Sequence, residues 1–191
     1  MTQALVTAVP ADNREDAQLI SAALEHADAF GLLYERYLAR VYRHMLSRCG
    51  SREEAADLTQ IAFTRAYDNL ARYRPTRAPF VAWLFRIARN AAADAYRSRR
   101  TTVSWDGLPE ALTASDGAQP DAIAEKRERL ARLRSLLERI DPAKRELLTL
   151  RFASDLSSRE IASVVGKSES AVKKQLTRTI AQLKEYYRDE V

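Results

Sequence analysis

The 191-residue chain has one cysteine, Cys49, two histidines, His26 and His44, and only five glycines and six prolines. A single thiol cannot close an intramolecular disulfide, and with two histidines beside it there is no metal-ligand cluster at a recognised spacing, so no metal site is expected. No stretch approaches the roughly 20 uninterrupted apolar residues of a membrane-spanning helix. The opening, MTQALVTAVPADNRED, has no basic leader before its brief apolar run and turns acidic at once, which argues against a secretory signal and for the cytoplasm. There is no run of alternating β-branched residues and no Asn-Gly hairpin signal, so strands are not expected. A glycine-rich phosphate loop is missing too. His44 and Cys49 lie five residues apart with no third group to orient them, and read as a surface histidine and a helix-end cysteine; neither catalysis nor a cofactor is expected.

What the chain does have is segregated charge. The formal net charge is +5, yet residues 1–28 carry one arginine against five acids, and residues 74–100 carry seven arginines and one aspartate. Residues 101–125 hold five acids and no base, and 126–191 hold sixteen bases and ten acids. Two basic blocks separated by an acidic strip point to two surfaces for a polyanion.

Apolar spacing follows the helical period from residue 29 onward. Phe30, Tyr34, Tyr37, Leu38, Val41 and Met45 fall at steps of three and four, and Leu58, Ala62, Ala66 and Leu70 repeat the pattern behind Ser51, an N-cap whose capping box Glu54 completes. A third helix opens near Pro79 and runs to about Ser98. Phe80, Leu84, Ile87, Ala88, Ala91 and Ala95 share one face, and Arg86, Arg89, Ala93, Arg97 and Arg100 the opposite one, a cationic stripe. Residues 101–125 collect Gly, Pro, Ser and Thr without periodicity and read as a flexible linker. Leu130, Leu133, Leu137 and Ile140 then mark a helix, and Asp141-Pro142 opens another through Leu147, Leu148 and Phe152. The expected fold is all-α: a mobile N-terminal segment (1–28), a helical domain (29–100), the acidic linker (101–125) and a second helical domain (126–191).

The most informative stretch is LSSREIASVVGKSESAVKKQLTRTIAQL, residues 156–183. Ser157 or Ser158 caps a short helix with Ile161, Ala162 and Val165 inward. Gly166 sits where the chain must turn with positive φ, and Ser168 caps a second helix with Val172, Leu176, Ile180 and Leu183 inward. That is a helix-turn-helix pattern. Its second helix presents Glu169, Ser170, Lys173, Lys174, Thr177 and Arg178 outward, beside Ser168, the chemistry that suits base edges and phosphates in a major groove.

Three motifs in order resemble bacterial RNA polymerase sigma factors of the extracytoplasmic-function (ECF) type. LSSREIA, Gly166 and AVKKQLTRT are similar to the region 4 helix-turn-helix, AADLTQIAFTRAYDNLARY (55–73) to region 2.2, and PFVAWLFRIARNAAADAYRSRR (79–100) to regions 2.3 and 2.4. The resemblance implies a dissociable initiation subunit that binds core RNA polymerase, reads the −35 element with region 4 and the −10 element with region 2, and promotes DNA opening. It implies that Asp57 and Gln60 face the clamp helices of the largest polymerase subunit, with Leu58 and Phe63 in the core; the family's Glu after Gln is Ile61 here, an apolar residue at that interface. Arg86, Arg89, Asn90, Asp94 and Arg97 match the helix lying along the melted −10 region, with Arg99 and Arg100 at its end. The loop ARYRPTRAP, carrying Arg74 and Arg77, matches the segment that captures a flipped −10 base. Tyr73, Phe80 and Trp83 read as packing residues. Lys174 and Gln175 replace the family's Ser and first Arg, so Lys174 is either a phosphate contact or a reader of one −35 position. An anti-sigma protein is a possible partner.

Stretched fully, a 25-residue linker reaches about 80 Å, against about 70 Å for two DNA sites two helical turns apart. Its acids suit a place in the basic nucleic-acid channel of polymerase, the alternative being a merely solvated linker. A stand-alone regulator would need a receiver or ligand domain in the first half, and the helices of 29–100 lack a receiver's βα alternation.

Overall fold

The computed structural model describes residues 13–49, 51–99 and 122–189, and among these every regular element is helical. The first lobe comprises α1 (Asn13–Glu25), α2 (Phe30–Leu46), α3 (Arg52–Asp68) and α4 (Phe80–Arg99), with short 3-10 turns at Ala27–Ala29 and Leu70–Arg72. The second comprises α5 (Ala122–Glu138), α6 (Pro142–Leu148), a π turn (Thr149–Ala153), α7 (Ser158–Val165) and α8 (Glu169–Asp189).

Local chemistry sets the helix ends. Ser51 Oγ accepts from the Glu54 amide, Asp141 caps α6 with Pro142 behind it, and Ser157 and Glu160 form a reciprocal capping box on α7. Gly166 ends α7 in the left-handed region at φ 70°, and Ser168 Oγ accepts from the Ala171 amide at the start of α8. In the first lobe α2, α3 and α4 pack around Leu33, Tyr37, Val41, Leu58, Phe63 and Leu84, all buried. The Tyr73, Phe80 and Trp83 rings form a tilted and edge-to-face cluster at centroid separations of 5.2 to 5.6 Å.

Three expectations change. The acidic segment 1–28 is not mobile over 13–25: α1 buries Ile20 and Ala23 against α2, and Asp16 is 2% exposed. A carboxylate that deep needs partners, and Tyr37 donates its hydroxyl at 2.5 Å while Arg36 pairs with it at 2.8 Å. Residues 1–12 of that segment lie outside the described residues, as does the linker up to 121; α5 begins at Ala122, inside the stretch read as linker. Third, α4 is apolar on more than one face. Val81, Ala82, Phe85, Ala92 and Tyr96 are buried along with Phe80, Leu84 and Ala88, because α7 of the second lobe packs across α4 and the buried residues of the two lobes join in one cluster.

The helix opened by Pro142 does not run regularly to Phe152. It widens into the π turn, where the Ser154 amide reaches the Thr149 carbonyl at 3.1 Å, and Phe152 stays 49% exposed. Asp155 follows at φ 52°, a left-handed conformation that aspartate tolerates better than most residues.

Candidate nucleic-acid and polymerase interfaces

On α3, Asp57, Gln60, Ile61, Thr64, Tyr67 and Asp68 are all exposed, and at 100° per residue they form one continuous face. Ile61 is 40% exposed and Tyr67 44%, whereas Leu58 and Phe63 point into the core. Tyr67 packs edge-on to Phe30, and Tyr34, itself 38% exposed, to Phe63, so the apolar part of this face is held from beneath by aromatic contacts.

At the loop between α3 and α4 the chain encloses a cavity of about 310 Å³. Tyr73, Trp83 and Ile87 line it together with Arg74, Arg86 and Asn90; Arg72 and Arg77 complete the rim. The loop is braced by the Tyr73 hydroxyl donating to the Ala78 carbonyl at 2.9 Å and by Arg74 donating to the Ala71 and Tyr73 carbonyls at 2.9 Å. Burial raises the Tyr73 phenol to about 12, so it stays a neutral donor. Arg74, Arg77, Arg86, Asn90 and Arg97 are exposed. Asp94 binds both Arg65, at 2.6 Å, and Arg97, and these two hydrogen bonds hold its carboxyl below the usual range. Arg99 is the last residue of α4, and Arg100 lies outside the described residues.

Arg89 is the exception in this set. Its Nε lies 2.6 Å from the Glu146 carboxylate of α6, in the other lobe, and Arg48 meets the same carboxylate at 3.4 Å. The expected cationic stripe is therefore interrupted at its centre. His44 is the second surprise: it is not a surface histidine but wholly buried, edge-on to Phe85, with Nδ1 3.3 Å from Ser154 Oγ across the lobe boundary. Cys49 is also buried; its thiol donates to the Met45 carbonyl at 3.0 Å, and burial pushes it up to about 11. That is the state of a packing residue, not of a nucleophile.

In the second lobe, Ser168, Ser170, Lys173, Lys174, Thr177 and Arg178 line the exposed side of α8 with the half-buried Glu169, while Val172 and Leu176 are buried beneath. Ser168 spends its hydroxyl on the cap, and Glu169 pairs with Lys173 at 2.6 Å, a hydrogen bond that lowers the Glu169 pKa. On α7, Val165 packs half-buried against the core as expected, and Val164 beside it is buried more deeply. The −10 and −35 candidates stay on separate lobes. Sequence reasoning missed Glu146 and the arginines Arg40, Arg43 and Arg48. The one hint in the sequence is that Arg40, His44 and Arg48 recur at steps of four along α2 and the turn after it, with Arg43 beside them.

Among the described residues no helix is long and apolar enough to cross a membrane, and no group of three or more His, Cys, Asp or Glu is placed to hold a metal. Comparison with known proteins bears on the whole chain. A family model for Sigma-70 region 2 matches residues 33–102, and one for Sigma-70, region 4 matches residues 130–183. The chain is 35% identical over 183 residues to the ECF RNA polymerase sigma factor BldN of Streptomyces coelicolor, covering 91% of this chain and 69% of that protein. It is 32% identical over 178 residues to the ECF sigma factor SigD of Mycobacterium tuberculosis, covering 90% and 83%. The solved structure of CnrH in complex with the cytosolic domain of CnrY matches with a TM-score of 0.62 at 27% identity, over 94% of this chain and 99% of that one. The two helical lobes, one carrying the α3 face and arginine-rimmed cavity, the other a capped helix-turn-helix, thus correspond to regions 2 and 4, and the chain belongs to the ECF RNA polymerase sigma factors, which direct promoter-specific transcription initiation.

Proposed function

We propose that this sigma factor docks on the polymerase clamp helices through Asp57, Gln60 and Ile61, reads the −35 duplex with α8, and captures an unpaired −10 base in the cavity between α4 and the loop before it. The cavity is the observation that carries the −10 assignment. A volume of about 310 Å³ lies within the range of small-ligand sites, about 300 to 1,000 Å³. An aromatic wall of Tyr73 and Trp83 suits the face of a base, the Asn90 amide can pair with a base edge, and Arg74, Arg77 and Arg86 can neutralise the phosphates on either side. Removing a base from its stack costs a few kcal/mol, which stacking and phosphate contacts in a preformed pocket offset. Opening the duplex then follows from binding the separated strand more tightly than the paired one.

On α8, Lys173, Lys174 and Arg178 supply phosphate contacts, and Ser170 and Thr177 can meet base edges. In this reading a subunit that acts on RNA polymerase belongs in the cytoplasm and carries no catalytic step of its own. The likeness to CnrH, solved with the cytosolic domain of CnrY, supports a protein antagonist as a further partner.

Run-off transcription with purified core polymerase tests the −10 assignment. Asn90→Ala should relax discrimination at one −10 position by about 1 to 3 kcal/mol, and Arg86→Ala should flatten the salt dependence of single-strand binding by about 0.7 log units per log salt. Unchanged promoter profiles and salt slopes in both variants would remove the cavity from the mechanism.

A further inference from the structure

The loop between α3 and α4 has open space on two sides. In front lies the arginine-rimmed cavity; a second cavity, of about 250 Å³, is lined by Pro75, Thr76 and Pro79 of the loop and by Asp16, Ala17 and Ile20 of α1. Tyr73, Arg77 and Ala78 line both, so the loop is a thin partition between them. Contacts made by the loop tip therefore do not fix where the partition stands.

The support comes from beneath. Phe80, where the loop enters α4, meets Tyr73 and Trp83 at centroid separations of 5.6 Å, and the Tyr37 ring of α2 meets Phe80 in turn at 5.6 Å. Tyr37 is wholly buried, so its hydroxyl must be bonded; Asp16 accepts from it at 2.5 Å, and Arg36 balances the carboxylate at 2.8 Å. Burial, then the hydrogen bond to Asp16, pushes the Tyr37 phenol well above its ordinary value, and the proton stays on the phenol oxygen. A carboxylate on α1 is thus joined by one hydroxyl and a run of packed rings to the aromatic wall of the front cavity.

We propose that Asp16 and Tyr37 are positioning residues for capture of the −10 base: they touch no DNA, and through Phe80 they set the place of the Tyr73 and Trp83 rings against which that base stacks. The inference rests on the reading of the front cavity as the −10 pocket. Asp16 acts here as the acceptor for one hydroxyl. Asp16→Ala leaves that buried hydroxyl unbonded, and the ring must tilt to find another partner. Tyr37→Phe keeps the ring but removes the bond that orients it, while Asp16 keeps Arg36. Asp16→Asn retains a carbonyl oxygen that accepts from Tyr37 and gives up only the charge.

The test uses holoenzyme assembled from core polymerase and each full-length variant, on promoters carrying each base in turn at every −10 position. Asn90→Ala identifies the position that the pocket reads. There, Asp16→Ala and Tyr37→Phe should each lower discrimination about threefold to tenfold, a part of what a base gains by stacking on aromatic side chains, and Asp16→Asn should stay close to wild type. Affinity for the −35 duplex and for core polymerase should not change, whereas a variant that merely lowers the folded fraction weakens all three together. Wild-type discrimination in Tyr37→Phe, or a loss matched in −35 and polymerase binding, overturns the proposal. Equal losses in Asp16→Asn and Asp16→Ala overturn the route through the hydroxyl.

Trp83 reads the wall without DNA. The chain has two tryptophans, so Trp105→Phe leaves Trp83 as the only one. Tyr73 shields Trp83 from 5.2 Å away, and acrylamide should quench its emission with a larger Stern–Volmer constant once Tyr37→Phe is added. If Asn90→Ala changes no −10 position, the pocket reading fails by itself; an unchanged quenching constant separately overturns the role of Asp16 and Tyr37.

Discussion

Acid should weaken the junction between the lobes through one side chain, His44. Ser154 Oγ lies 3.3 Å from both the Thr149 carbonyl and His44 Nδ1. Donating its only proton to the carbonyl leaves the hydroxyl to accept from Nδ1–H, so Nε2 is the unprotonated nitrogen, buried without a hydrogen-bond partner. Burial first, then the charges of Arg48 and Arg89, lower its pKa from the ordinary 6.5 to about 3. Glu146 is bound to both arginines and Asp155 to Arg43, so neither carboxylate is available to stabilise an imidazolium.

With the native pKa depressed, the open or unfolded chain takes up a proton below pH 6.5 that the closed chain refuses. The associated stability is complete above pH 6.5 and is lost progressively as pH falls from there toward about 3. At 1.36 kcal/mol per unit, the loss at pH 5.0 is about 2 kcal/mol. Urea unfolding at pH 7.5 and 5.0 measures it, and the same pair of curves for His44→Gln isolates it, since a neutral amide carries only a pH-independent cost. If His44→Gln loses as much stability on acidification as wild type, the histidine is not the cause.

Gly166→Ala should cost about 1 to 2 kcal/mol of stability by thermal melting, from backbone strain at φ 70° alone, because no atom lies within 4 Å of an added Cβ; Gly166→Asn should recover part of it. Ile61→Ala should weaken core polymerase binding about fivefold, roughly 1 kcal/mol for a half-exposed aliphatic side chain buried on docking, read by surface-immobilised core enzyme without promoter DNA; equal affinities would take Ile61 out of the interface. Lys174→Ala should either lower the salt dependence of −35 binding by about 0.9 log units per log salt or relax one −35 position. An unchanged slope with an unchanged promoter profile excludes both roles.

Much of this protein is settled by interactions that span four residues or fewer. The N-cap at Ser51, the capping box at Ser157, the Asp141-Pro142 start and the left-handed Gly166 each join neighbours in the chain, and such contacts can be read without knowing what packs on them. The all-α class, the helix-turn-helix and the outward face of α8 follow from those signals together with the helical period. Long-range pairing decides the rest. Asp16 is buried because Tyr37, 21 positions away, needs its carboxylate. His44 leaves the surface because Ser154, 110 positions away, covers it, and Arg89 is taken from the stripe by Glu146, 57 positions away. A periodic pattern reports which side of a helix is polar, but a polar side chain serves equally well against water, phosphate or a carboxylate of the next domain. Only the assembled fold selects among the three, because burial and charge pairing depend on what the distant chain brings to that face.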